Sequence, residues 1–397
     1  MRRMMALALA ALLAACGAAR AADDIKVGEI NSYSALPGFT EPYRKGMELA
    51  LKQINDAGGI KGRKLVIITK DDGGKPGDAL TAANELVTRD GVVMIAGGFL
   101  SNVGLALSDF AKQKKVMYLA SEPLTDAMVW SKGNAYTFRL RTSNYMQAAM
   151  LAEEAAKLPA RRWATIAPNY EFGQSFVAVF KELLKKRRPD VEFVAEQWPP
   201  LNKIDPGPVL QAIDAAKPDA ILNATFAGDL VKLVREGNTR GVFKDRAVVS
   251  YLTGEPEYLD PLKDEAPEGW IVTGYPWYSI DTPEHKAFLD AYQQLHKDYP
   301  RLGAVIGYST VKSIAAALEA ADDLSTDSLL KAMGNLKVST PYGDIVYRAA
   351  DHQSTLGAFV GRTALKDGKG IMVDVVFKKG ADYLPSEEDA AKMRPAN

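Results

Sequence analysis

Side chains able to do demanding chemistry are scarce in this chain of 397 residues. A single cysteine, Cys16, and three histidines, His285, His296 and His352, leave no set of ligands from which a zinc site could be assembled. His285 and His296 fall on one predicted helix, where solvated positions suit them better than metal ligation. The chain contains no G-x-G-x-x-G, G-x-x-x-x-G-K-[ST] or G-x-S-x-G stretch, so neither a phosphate cradle nor a nucleophile elbow is present. Gly73-Gly74-Lys75-Pro76-Gly77 resembles a phosphate loop until Pro76 takes the place of Ser or Thr, and it reads as a turn before a helix. The acidic pairs Asp71-Asp72 and Asp322-Asp323 stand at a strand end and a helix end, where capping and turns are their expected work. The sequence predicts no catalytic residue, no metal and no cofactor.

One constellation points to binding. Gly97-Gly98-Phe99-Leu100-Ser101-Asn102 follows an apolar strand and opens a helix. In an open α/β sheet, ligands collect beyond the carboxyl ends of the strands. A helix N-terminus there offers free N–H groups and the positive end of the dipole, which suit a carboxylate. Ser101 adds a hydroxyl donor with Asn102 beside it, although either side chain could instead cap its own helix. The next strand tip is Ala120-Ser121-Glu122-Pro123. Later tips carry Asn169-Tyr170-Glu171-Phe172-Gly173, Thr225-Phe226-Ala227 and Leu252-Thr253-Gly254-Glu255. Tyr170, Phe172 and Phe226 at equivalent tips could form an apolar wall opposite a polar floor.

The elements needed to position these tips are visible as alternating patterns. Strand-like runs at 25–30, 64–69, 92–97 and 116–120 are separated by helical patterns; in one, Met47, Ala50, Leu51 and Ile54 form a stripe before Gly58-Gly59. The alternation restarts at 163–167 and continues with strands at 192–195, 220–224, 247–251 and 271–274. Strands alternating with helices predict an α/β fold of two doubly wound, Rossmann-like lobes with parallel sheets. The later helices, 284–297, 304–322 and 326–336, lack strands of their own. They are expected to return to the first lobe, so the chain crosses between lobes more than once. The lobes are expected at 24–142 plus 276–337 and at 143–275 plus 338–397. Equal numbers of basic and acidic residues, 49 each, give no field for a polyanion and argue against nucleic acid as a partner.

Residues 1–22 read as a signal peptide. Met1-Arg2-Arg3 precedes an apolar run too short to span a bilayer, and Ala19-Arg20-Ala21 is a small-residue cleavage signal. Leu13-Ala14-Ala15-Cys16 also resembles a lipobox, so lipidation at Cys16 and soluble export both stand.

Together, Ile25-Lys26-Val27-Gly28-Glu29-Ile30, Gly46-Met47-Glu48-Leu49-Ala50, Ile54-Asn55-Asp56-Ala57-Gly58-Gly59-Ile60-Lys61-Gly62 and Tyr170-Glu171-Phe172-Gly173 carry a family likeness. Across nearly all of the mature chain it resembles the periplasmic type I solute-binding proteins of ABC importers, nearest the leucine/isoleucine/valine-binding group. The resemblance implies two lobes closing about a multi-stranded hinge on a small ligand. It assigns the ligand carboxylate to Ser101 and aromatic contacts to Phe39, Phe172 and Phe226, where the family carries hydroxyl-bearing rings. The family's Ala-Ala-Thr contact appears here as Glu122-Pro123-Leu124, and its amino-group acid corresponds to Glu255. These departures favour an aromatic or alicyclic acid over an amino acid. The expected role is a monomeric periplasmic component delivering a small carboxylate to an inner-membrane permease. A ligand-sensing receptor module and a secreted hydrolase are the alternatives.

Overall fold

The computed structural model describes residues 23–395, and the segment expected to be a signal peptide, with Cys16, lies outside the described residues. The first sheet has the order β2-β1-β3-β4-β5, built from β1 (Ile25–Asn31), β2 (Leu65–Asp71), β3 (Met94–Gly97), β4 (Met117–Ala120) and β5 (Thr137–Arg139). All its pairings are parallel, and every residue of β3 and β4 is buried, as a sheet covered on both faces requires. The second sheet joins β6 (Arg162–Ile166), β7 (Glu192–Gln197), β8 (Ala220–Asn223), β9 (Ala247–Gly254) and β10 (Ile271–Gly274) to β13 (Ala358–Lys366) and β14 (Lys369–Lys378). Its β13–β14 hairpin pairs antiparallel to β10, so this lobe is mixed rather than wholly parallel. A separate ribbon pairs β11 (Lys337–Thr340) with β12 (Gly343–Val346).

The late helices return to the first lobe as expected. Helix Leu302–Ala320 lies along helix Pro37–Asp56, and glycine makes the approach possible. A Cβ on Gly307 would drive into the Tyr43 carbonyl, and one on Gly46 into that of Ala304. The ribbon packs on the same late helix, and Gln353 bridges to Arg139 at the end of β5. The first-lobe portion therefore extends past Ser354, beyond the residue 337 boundary expected from sequence. Helix Glu387–Met393 adds a further crossing, since Arg394 donates to the carbonyls of Val129, Asn134 and Asp351.

The β3–helix turn brings Ser101 into place. Gly97 and Gly98 have φ of 104° and 79°, and a Cβ on Gly97 would collide with the Ile30 carbonyl beside the Glu29 carboxyl. Glu29 is buried beneath this turn and accepts from the Tyr33 hydroxyl at 2.9 Å; burial pushes its carboxyl up to about 8.

Two expectations follow. Gly307→Ala should cost about 1–3 kcal/mol or more by overpacking the helix pair, read as a lower urea midpoint. Gly77→Ala, where a Cβ meets nothing, should not lower it. Native Glu29 retains a proton that the unfolded chain loses above its ordinary 4.5, so its stabilising contribution fades as pH rises towards about 8. His285 and His352, lowered to about 4 by burial, act with the opposite sign below their ordinary 6.5. From about pH 6.5 to 8 the melting temperature should therefore fall, and Glu29→Gln should flatten that fall. An equally steep decline in the variant would contradict the assignment.

Candidate functional site

Segments after β3, β4, β5, β6, β8 and β9 converge on one cleft between the lobes. At its inner end Ser101, Glu122, Arg141, Tyr170, Phe172 and Phe226 border a recess of about 20 Å³. An outer chamber of about 310 Å³ is lined by Leu36, Pro37, Phe39, Val231 and Pro261, among others. Phe99 and Tyr258 border both spaces. The apolar wall is a continuous aromatic cluster. Phe172 meets Phe226 edge-on at 5.5 Å and stacks on Tyr251 at 5.4 Å. Phe99 of the first lobe reaches Phe226 of the second at 6.4 Å and packs on Phe39 at 5.1 Å.

Ser101 is the first residue of helix Ser101–Lys114, while Leu100 holds the N-cap position and no side chain caps that end. The alternative of a capping Ser101 or Asn102 is thereby removed. Asn102 is exposed and does not enter the cleft, because the adjacent helical position faces away from the recess. Phe39 lies in the first turn of a helix rather than in a loop, since Pro37 starts that helix early. Glu255 stands behind Arg141 towards the hinge, beside Thr142 and Gln147, and does not line the recess.

The polar end centres on Arg141, which the sequence reading did not select. Its Nη2 lies 2.5 Å from Glu255 of the second lobe and its Nη1 lies 3.8 Å from Glu122 of the first. The guanidinium also covers the Phe39 ring at 5.0 Å. Burial disfavours the Arg141 charge, yet Glu255 and Glu122 more than offset that and hold the group protonated. Burial lifts Glu255 to about 8 against the pull of Arg141. It likewise drives Glu122 well above the ordinary carboxylate range.

Further contacts join the lobes near the rim. Glu257 Oε1 accepts from the Gly303 N–H at 2.7 Å, at the start of helix Leu302–Ala320. Burial raises its carboxyl to about 7, with that N–H pulling the other way. Asp260 accepts from the Tyr299 hydroxyl at 2.9 Å and from Arg301 at 3.0 Å. Thr125 donates to Glu171 at 2.5 Å.

Phe99, Tyr258 and Glu257 also escaped the sequence reading. Phe99 had a signal, since it lies between Gly98 and Ser101, whereas Arg141 and Glu257 sit in no local motif. Leu252 and Ala227 beside the cleft have φ of 65° and 50°, strained backbone of the kind that gathers at functional sites. The histidines needed correction: His285 is buried, with Nε2 2.7 Å from the Tyr275 hydroxyl, because its helix packs that turn inward. His296 is only partly exposed and meets the Lys45 carbonyl at 3.0 Å. Asp71 and Asp72 do accept turn N–H groups, from Gly73 and Gly74. Among the described residues, no His, Cys, Asp or Glu cluster is arranged to hold a metal ion, and no helix is long and apolar enough to cross a membrane.

A family model described as periplasmic binding protein matches residues 24–369. The chain is 27% identical over 335 residues to Leu/Ile/Val-binding protein homolog 7 of Brucella suis, covering 80% of this chain and 82% of that protein. Its fold is similar to an ABC transporter substrate-binding protein from Sphaerobacter thermophilus, with a TM-score of 0.78 and 26% identity over 89% of this chain and 98% of the other. It is similar too to an ABC transporter solute-binding protein from Rhodopseudomonas palustris BisB5 in complex with 3,4-dihydroxybenzoic acid. There the TM-score is 0.80 and the identity 24%, covering 90% of this chain and 98% of that one.

Removing the central cation should be expensive. Arg141→Met strands Glu255 and Glu122 in a buried space, and a loss of about 3–5 kcal/mol in urea unfolding is expected near pH 8. At about pH 5 both acids can take up protons, so the loss should shrink. A pH-independent loss would show that Arg141 acts through packing alone.

Proposed function

The chain belongs to the periplasmic binding protein family, and from that premise we propose that it is the solute-binding component of an ABC importer. Its ligand, on this reading, is a small aromatic carboxylate held between the two lobes. The observation that carries this reading is the pairing of a polar recess with an aromatic wall. At the recess, Ser101 opens an uncapped helix with Arg141 on the same small space, while Phe99, Phe172 and Phe226 present rings beside it. The uncapped N–H groups and the Ser101 hydroxyl suit a carboxylate, and the rings suit an apolar body. The recess alone is too small for a ring, so the body of the acid must reach past Phe99, which borders both spaces, towards the outer chamber.

An aromatic acid fits better than an α-amino acid because Glu255, the acid expected to hold an ammonium group, has its Oε1 committed to Arg141. The ligand carried by the R. palustris neighbour belongs to the same chemical class. A branched-chain amino acid remains the second ligand reading, supported by the relatedness to the Leu/Ile/Val-binding homologue. In operation the lobes part and admit the acid; closure then lays Phe226 and Phe172 over it and presents a closed surface to an inner-membrane permease. The ligand shifts the equilibrium only by its differential affinity for the closed form. Periplasmic export by the 1–22 segment, with or without acylation at Cys16, and a monomeric state complete the proposal. Binding without covalent change distinguishes it from a hydrolase.

A thermal-shift panel of benzoate, 3,4-dihydroxybenzoate, leucine and valine tests the reading. The aromatic acids should raise the melting temperature by mass action and be recovered intact. Ser101→Ala should then weaken binding of the hit about 10- to 100-fold by calorimetry, as loss of a charge-assisted hydrogen bond predicts. Shifts by the amino acids alone would move the assignment to the second reading, and consumption of the hit would favour an enzyme.

A further inference from the structure

Glu122 is the one acid bordering the recess at its inner end, and it is 1% exposed. Among the described residues neither of its carboxyl oxygens has a hydrogen-bond partner. Its nearest cation, Arg141, lies 3.8 Å away, beyond direct hydrogen-bond reach, and has another arm on Glu255 at 2.5 Å. Ser101 borders the same space. A ligand carboxylate anchored there would lie against the Glu122 carboxyl, and two anions in one closed recess cannot both remain ionised at little cost.

We propose that Glu122 binds the ligand as a neutral carboxyl, donating its O–H to the ligand carboxylate, so that the acid enters the cleft together with one proton. The inference rests on the carboxylate reading above and assigns that site a regulation by pH. Balance is simple: the solvent proton resides on Glu122, no covalent bond in the ligand changes, and the ligand's single negative charge faces Arg141 and the helix N-terminus.

The surroundings of Glu122 favour the neutral form. Tyr43 from helix Pro37–Asp56 and Tyr118 from β4 approach from the first lobe, with the Asn31 side chain at the end of β1. Glu29 and Asp72 lie behind Tyr118. Glu255, Glu257 and Tyr258 face it from the second lobe. Of these groups and Arg141, only the last is a cation, and Glu255 already engages it. Burial and the neighbouring acids raise the Glu122 carboxyl, with Arg141 and the nearby Asn31 amide, itself without a hydrogen-bond partner, opposing.

Calorimetry with benzoate and 3,4-dihydroxybenzoate in buffers of different ionisation enthalpy, from about pH 6 to 8, tests the proposal on the full chain. With the lobes parted, water reaches Glu122 and removes the burial that holds it neutral, so closing on the ligand should take up about one proton, and where it does so affinity should fall by up to about tenfold per pH unit. Glu122→Gln, whose amide can still donate, should bind without proton uptake and with a flat pH profile. Glu257→Gln, altering another raised acid at the closing rim, should keep the uptake. Binding by the wild type without a proton, or uptake persisting in Glu122→Gln, overturns the inference and leaves the carboxylate reading standing. If neither acid binds wild type or variant at any pH, that reading falls and the inference falls with it.

Discussion

One buried guanidinium sets the constraint that the cleft obeys. Arg141 lies on the segment leaving β5, where the chain first crosses towards the second lobe, and it faces an acid from each lobe. Burying such a cation without partners is prohibitive, and the partners must come from both sides. Glu122 arrives from the tip of β4 and Glu255 from the end of β9. The aromatic wall is attached at neighbouring tips of the same two sheets, Phe99 after β3, Phe172 after β6 and Phe226 after β8. The geometry that compensates Arg141 therefore brings Phe99 to Phe226, and charge balance and ligand enclosure become two readings of one arrangement.

The closed arrangement has support beyond that centre. Glu257 meets the N-terminus of helix Leu302–Ala320, where the free N–H groups and helix dipole favour an acidic partner. Asp260 draws in Tyr299 and Arg301 at the same edge. These contacts are made by protein groups alone. They reduce the work a ligand must do to hold the lobes together, since only its preference for the closed form shifts the balance.

The fold was legible where a signal was local. Strand 271–274 matched its observed bounds, and the helices after Pro76 and from Thr326 began where expected, because apolar periodicity and proline or cap residues mark them. Ser101 was found because a glycine pair, a buried strand and a helix start coincide within six residues. Arg141 was invisible for the opposite reason: its partner Glu255 is 114 residues away, and nothing in the local spacing distinguishes Arg141 from Arg139. Arg139 is itself fully buried, but it bonds to Gln353 and the Thr125 carbonyl and serves the crossing rather than the cleft. The buried His285 shows the same limit, since burial beside Tyr275 depends on tertiary packing that helix position alone does not reveal. The strands of the β13–β14 edge show in the strand-like runs 358–361 and 371–377, but after a helical stretch no βαβ rhythm announces their antiparallel sense.

Phenyl rings at positions 39, 172 and 226 have a directional consequence. Phe39, Phe172 and Phe226 have no hydrogen-bonding groups on their side chains, so the wall can exclude water and yet cannot orient what it covers. Ser101, Glu122 and Arg141 are gathered at the inner end of the recess, with the hydroxyl-bearing rings of Tyr170 and Tyr258 also on its border. On the proposed reading the ligand is thus fixed chiefly at its acid end, and its far end looks past Phe99 into the outer chamber, where Leu36, Val231 and Pro261 stand beside Glu257 and Tyr258. Orientation then comes from the two or three donors around the carboxylate, while affinity scales with the apolar area that Phe226 and Phe172 remove from water. A cleft divided in this way discriminates firmly on the presence of the acid group and weakly on ring substituents. An amino-acid site, with polar contacts distributed around the α-carbon, would need donors and acceptors on the wall where this chain has phenyl rings.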